Sequence, residues 1–189
     1  TLQISEELNK PKKLEGIKVL VTSGPTIEPI DEIRFISNYS SGIQGNAIAN
    51  EFYSQGANVT LVSGPVNIKP QKGVNVVKVT SANEMLDACL SSLPVDIAVC
   101  AAAVSDWRIK NKIKGKVKKD NTKKTLTLLE NKDILKTISN HIKRPKLVIG
   151  FAAETENIEY FAKKKLFKKN CDWILGNLVD IKTNTFGSE

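Results

Sequence analysis

Apolar runs and amphipathic stretches alternate along the chain from residue 17 onward. Runs rich in Val, Ile and Leu at 17–22, 58–63, 74–80, 96–102, 146–151 and 173–175 predict buried strands. A shorter run at 125–129 predicts another. Between them, 40–53 places Ile43, Ala47, Ile48 and Phe52 on one helical face. Ser81 followed by Glu84 is a capping box that opens a helix running through Leu90. Residues 133–141 and 158–169 carry two further helical patterns. Helices alternating with strands that are apolar on both faces predict a parallel sheet covered on both sides. The expected fold is therefore α/β, a Rossmann-like three-layer sandwich. Residues 1–15 are polar and include Pro11, and read as a linker or incoming segment ahead of a single domain over 16–189.

Composition narrows the class. The chain has 189 residues, 41% hydrophobic and 25% charged, ordinary for one globular domain at roughly 150 residues each. The longest apolar runs fall far short of the roughly 20 residues that span a bilayer. No charged-then-apolar leader opens the sequence, so a cytoplasmic protein without a membrane partner is expected.

The net charge of +8 changes the picture because of where it sits. The segment 108–124 holds nine Lys or Arg and one acid, Asp120, so the rest of the chain is neutral overall. A nucleic-acid binder usually spreads its basic residues over a face or a helix. One concentrated basic loop reads either as a solvated loop or as a mobile flap that closes over a polyanionic small molecule. Cys89, Cys100 and Cys171 are odd in number and irregular in spacing, which argues against a disulfide framework or a zinc site. The single histidine, His141, excludes a Ser-His-Asp hydrolase in the absence of partners and reads as a surface or capping residue.

In doubly wound sheets, ligands bind beyond the carboxyl ends of the strands. Four strand-end loops therefore matter: 23–39, 101–119, 131–135 and 151–157. The first runs into Ser40-Ser41-Gly42-Ile43-Gln44-Gly45 at a helix start, where free N–H groups suit phosphate. It is also consistent with a glycine turn that simply begins a helix. The three-glycine dinucleotide fingerprint is missing, as is an acid after Val62-Ser63-Gly64 to hold an NAD ribose. Lys165 and Lys169 share a face of the last helix. They read either as dipole compensation or as a seat for a triphosphate.

Five runs occur in order: Val21-Thr22-Ser23-Gly24-Pro25-Thr26-Ile27-Glu28-Pro29-Ile30-Asp31, Ile36-Ser37-Asn38-Tyr39-Ser40-Ser41-Gly42, Ala101-Ala102-Ala103-Val104-Ser105-Asp106-Trp107-Arg108, Lys116-Val117-Lys118-Lys119 and Gly150-Phe151-Ala152-Ala153-Glu154-Thr155. Together they resemble the bacterial phosphopantothenoylcysteine synthetases (phosphopantothenate–cysteine ligases), the C-terminal half of the fused decarboxylase/synthetase of coenzyme A biosynthesis. The resemblance implies CTP-dependent ligation of 4′-phosphopantothenate to L-cysteine through an acyl-cytidylate, releasing pyrophosphate and then CMP. It implies Mg2+, and FMN only on a fused decarboxylase domain outside this chain. It implies a homodimer, and no nucleic-acid partner.

Site residues carry over one by one. Asn38 and Lys116 match the catalytic asparagine and the flap lysine of the second half-reaction. Cys100, Ala101, Ala102, Asp106, Lys116, Lys132, Asp133, Ile134, Leu135, Phe151, Lys165 and Lys169 match nucleotide-binding positions. Arg34, together with Asn38, matches a substrate-binding position, Arg34 for the phosphopantothenate phosphate. The resemblance assigns no magnesium ligands. Lys132 stands where the family commonly has proline, and the family usually continues past Gly187, which implies a C-terminally truncated domain. The competing expectations are a dinucleotide-binding Rossmann oxidoreductase, an RNA-binding module using the lysine loop, and a regulatory subunit that has lost catalysis. Missing glycine and acid signals count against the first, and sparse aromatics against the second. The retained Asn38, Asp106 and Lys116 count against the third.

Overall fold

A computed structural model describes residues 12–178. Six strands form one sheet in the order β10-β9-β6-β1-β4-β5, with every neighbouring pair parallel. They are β1 (Lys18–Ser23), β4 (Asn58–Ser63), β5 (Asn75–Lys78), β6 (Ile97–Cys100), β9 (Leu147–Glu154) and β10 (Trp173–Leu178). The chain progresses from β1 outward to β5 and then from β6 outward to β10 on the other side, so the doubly wound switch point lies between β1 and β6. The expected Rossmann-like fold is the observed one.

Alternation along β1 sets the layers. Val19 and Val21 enter one core with Ala49 and Phe52 of α1 (Ile43–Ser54). Leu20 enters the other, with Met85, Leu86 and Cys89 of α2 (Ala82–Ser91), Ile138 of α3 (Ile134–Ser139) and Leu166 of α4 (Ile158–Lys169). Val19, Leu20 and Val21 are each at most 1% exposed, worth about 2 kcal/mol apiece by burial. Ser81 caps α2 as expected, its Oγ accepting from Glu84 N at 3.2 Å, while the return bond of the box shifts by one residue: Glu84 Oε2 accepts from Thr80 N at 2.7 Å rather than from Ser81 N.

Several boundaries move from the expected ones. The helix expected from 40 begins at Ile43, because Gly42 is left-handed at φ 75° and can only precede it. The strand expected at 96–102 stops at Cys100, while those expected at 146–151 and 173–175 run on to Glu154 and Leu178, which pair with each other. The strand expected at 125–129 lies at β8 (Leu128–Glu130), pairing antiparallel with β7 (Trp107–Ile109). A second antiparallel ribbon, β2 (Ile27–Pro29) with β3 (Phe35–Ser37), fills what reads as loop. Neither ribbon has strands long enough to show a period. His141 lies just past α3, its Nδ1 accepting from Lys143 N at 3.1 Å. Of the expected linker, residues 1–11 lie outside the described residues, and Leu14 packs into the α1-side core. No helix among the described residues is long and apolar enough to cross a membrane.

Candidate active site

Past the switch point, β1 and β6 continue as a single bridge between Pro25 and Ala103. Ala103 N donates to Gly24 O at 2.9 Å, and Ala102 N to Thr22 Oγ1 at 3.2 Å. Thr26, fully buried, accepts on Oγ1 from Ser105 N at 2.8 Å and on its carbonyl from Ser37 Oγ at 2.9 Å. Asn38 Nδ2 donates to Val104 O at 3.0 Å, and Asn131 Nδ2 to Ser105 O at 2.8 Å. Three strand-end loops are thus joined into one floor.

Two cavities open on that floor. One, of about 510 Å³, lies over the ends of β6 and β9 against the start of α3. The other, of about 940 Å³, lies beside the start of α1. They share Ala102, Val104, Asp106, Phe151 and Lys165, so they are two lobes of one cleft.

The smaller lobe gathers Cys100, Ala102, Asp106, Lys132, Asp133, Ile134, Leu135, Phe151, Lys165 and Lys169, all expected nucleotide contacts. Ala101, also expected there, lines the larger lobe instead. Five lysines (132, 136, 165, 168 and 169) face Asp106, Glu130 and Asp133 across it, an excess of positive charge suited to polyphosphate. Lys165 Nζ donates to Phe151 O at 2.6 Å. Burial, and next the Lys169 charge, hold the Lys165 ammonium below the ordinary lysine value. Asp133 caps α3, its Oδ1 accepting from Lys136 N at 2.8 Å, while its Oδ2 pairs with Lys169. Burial pushes the Cys100 thiol up to about 12, with the Cys171 and Asp133 charges adding to the shift, so it stays protonated and serves the wall by its small size.

The larger lobe holds Asn38 and the first turn of α1. Gly42 precedes that turn and supplies no side-chain cap. Its carbonyl accepts from Ser23 Oγ and Asn46 Nδ2, each at 3.0 Å. Gly45 lies so close to β1 that an added Cβ would sit 2.5 Å from Ser23 Oγ. The start of the helix is thereby pressed onto the strand, and its first turn, Ile43 to Gly45, lines the lobe, where a helix amino terminus suits an anion.

Lys116 and Arg34, expected in the site, line neither lobe. The basic segment leaves β7, folds over the β2–β3 turn and returns through β8. Ile113 N donates to Ile30 O at 3.1 Å. Arg34 Nη1 donates to Asp31 Oδ2 at 2.8 Å, and Nη1 and Nη2 both reach Val117 O at 3.2 Å. Asn131, Trp107 and Lys168 also line the smaller lobe, although sequence patterns did not single them out as contacts. Asn131 had a signal, since it stands in a strand-end loop directly before Lys132. No group of three or more His, Cys, Asp or Glu positioned to hold a metal occurs among the described residues.

Comparison with known proteins places the chain in a family. A profile for the DNA/pantothenate metabolism flavoprotein C-terminal domain matches residues 14–189. The coenzyme A biosynthesis bifunctional protein CoaBC of Haemophilus influenzae is 44% identical over 179 residues, 93% of this chain and 44% of the relative. Its counterpart in Bacillus subtilis is 42% identical over 185 residues, 97% of this chain and 44% of the relative. The chain thus spans less than half the length of these two curated relatives. A crystal structure of the C-terminal domain of CoaBC superposes with a TM-score of 0.78 at 41% identity, covering 89% of this chain and 80% of that one. On sequence and on fold, the chain belongs to the DNA/pantothenate metabolism flavoprotein C-terminal domain family.

Proposed function

We propose that this chain is the ligase domain that joins 4′-phosphopantothenate to L-cysteine in coenzyme A biosynthesis, using CTP. The observation that carries the reading is the two-lobed cleft, with the nucleotide set in one lobe, Asn38 in the other, and Lys165 and Asp106 on the wall between them. The 41% identity to the CoaBC C-terminal domain supports it.

In this reading CTP fills the lysine-rich lobe and phosphopantothenate the larger one. The substrate carboxylate oxygen attacks the α-phosphorus, and the bond to pyrophosphate breaks. Lys165 and Lys169 offset the charge that gathers on the leaving pyrophosphate. The cysteine amine then attacks the acyl carbon, loses a proton, and CMP departs with the bonding electron pair. In this reading the Asn38 amide turns from the Val104 carbonyl to donate to the developing oxyanion, and Lys116 on the flap offers a cation to CMP. Arg34, outside both lobes and already braced on Asp31 and Val117, offers its exposed edge to the substrate phosphate.

Magnesium bound mainly by phosphates and water needs only one or two protein carboxylates, and Asp106 and Glu130 are present for that. When bound it neutralises phosphate charge. FMN belongs to the other half of the bifunctional relatives in this reading. Ile33, Phe35 and Tyr39, exposed on and around the β2–β3 ribbon, offer an apolar surface for the homodimer in this reading.

The test is mass spectrometry of the protein with Mg2+, phosphopantothenate and either CTP or ATP, without cysteine, run on this chain and on a protein of the length of the bifunctional relatives. The expected result is phosphopantothenoyl-CMP with CTP, converted to amide and CMP when cysteine is added. No acyl-nucleotide from either protein with either nucleotide overturns the reading.

A further inference from the structure

We propose that Asp31 is a positioning residue that joins Arg34 to the flap, so that substrate clamp and flap lysine are set by one carboxylate. Arg34 and Lys116 take their roles from the ligase reading, on which this assignment rests.

Asp31 is 2% exposed. Its Oδ1 accepts from Ile33 N at 2.8 Å and Arg34 N at 2.7 Å. Its Oδ2 accepts from Arg34 Nη1 at 2.8 Å and Val117 N at 3.1 Å. A carboxylate has about four acceptor sites, so this one is fully used. An aspartate serving only its own turn would need Oδ1 alone. The second oxygen instead takes a guanidinium and a backbone group far along the chain. Those donors, the Ile33 N–H first, hold the Asp31 carboxyl below the ordinary aspartate value.

The grip on the flap is two-sided. Asp31 holds the N–H of Val117 and Arg34 holds its carbonyl. The Val117 N–H belongs to the peptide bond that follows Lys116, so one constrained peptide plane separates the clasp from the flap lysine. The Ile113-to-Ile30 bond fastens the same face four residues earlier. Arg34 itself is 44% exposed at the side chain and keeps a solvent-facing edge for an anion.

Two substitutions separate the parts. Asp31→Asn can keep an acceptor at Oδ1 but puts an NH2 group against Arg34 Nη1 and Val117 N. Val117→Pro deletes one donor and leaves the Asp31–Arg34 pair alone. Both should raise the tryptic cleavage rate within 108–124 by about tenfold, with the rest of the protein cut as in wild type. In single turnover, Val117→Pro should slow conversion of acyl-cytidylate to amide by about tenfold or more and leave its formation and the phosphopantothenate KM unchanged. Asp31→Asn should show the same slow step and also raise the phosphopantothenate KM, with the CTP KM unchanged in both. Wild-type cleavage rates in both variants, or wild-type conversion by Val117→Pro, would overturn the assignment while the ligase reading stands. A wild-type protein that makes no acyl-cytidylate removes both.

Discussion

Lys165 stands on the wall shared by the two lobes, two-thirds of the way from the start of α4 and bonded to the Phe151 carbonyl. Because burial depresses its pKa, its charge is lost at a lower pH than that of an exposed lysine. If the proposed CTP site is right, CTP affinity should therefore weaken as pH rises through that depressed value, and Lys165→Arg should extend the plateau to higher pH. Lys165→Ala should raise the CTP KM by about tenfold at neutral pH. CTP titrations across the alkaline range check both, and an unchanged CTP dependence would leave Lys165 with only helix-dipole compensation. The shared face of Lys165 and Lys169 is legible from their spacing. The pairing of Lys169 with Asp133 is not, because nothing local relates positions 36 apart. Arg34 shows the same limit. The family resemblance implies an anion contact for it, while its brace on Val117 joins positions 83 apart in the chain and has no local signal.

At the scale of elements, the start of α1 depends on a single atom's worth of space. Alanine for glycine in a helix normally stabilises by about 1 kcal/mol. At Gly45 the sign should reverse, since the new Cβ meets Ser23 Oγ at 2.5 Å and its Cβ at 2.6 Å. Gly45→Ala should destabilise the protein by about 1–3 kcal/mol through overpacking. It should also raise the phosphopantothenate KM more than the CTP KM, because α1 borders only the larger lobe. Urea melts and paired KM values measure this, and a stabilised variant would refute the close packing. The long apolar strands were readable because burial on both faces leaves a continuous signal. The three-residue ribbons β2–β3 and β7–β8 were not, and β7–β8 frames the flap whose charge was the most visible feature of the sequence.

Across the whole molecule, Asp96 ties the amino-terminal side of three strands. Its Oδ2 accepts from Lys18 N at 3.0 Å, and its Oδ1 pairs with Lys146 at 3.1 Å. The Lys18 N–H first, and then Lys146, lower its pKa from the ordinary 3.8. A depressed carboxylate contributes stability that is complete above the unfolded value and is lost as pH falls through the folded one. Asp31 acts in the same direction. The urea midpoint should therefore be flat toward neutral pH and fall below the ordinary aspartate value, with Asp96→Asn lowering the plateau and flattening the fall. A variant with the wild-type acid profile would remove Asp96 from the account. The doubly wound order was legible from strand–helix alternation. The closed switch point was not, because the Pro25–Ala103 bridge joins two loops that look independent along the chain.

That bridge divides what a ligand must order from what it finds ready. Asn38, Thr26, Ser105 and Asn131 already hold the floor by hydrogen bonds within the protein. Entry into either lobe therefore freezes little backbone there, and what is left to order is the basic segment beyond its clasp at Val117. Preorganisation and adaptability are assigned to different parts of the chain: a stiff floor under both lobes, and a cationic strap clasped at Val117 whose free length, on the ligase reading, can be ordered at whichever step most needs an added positive charge.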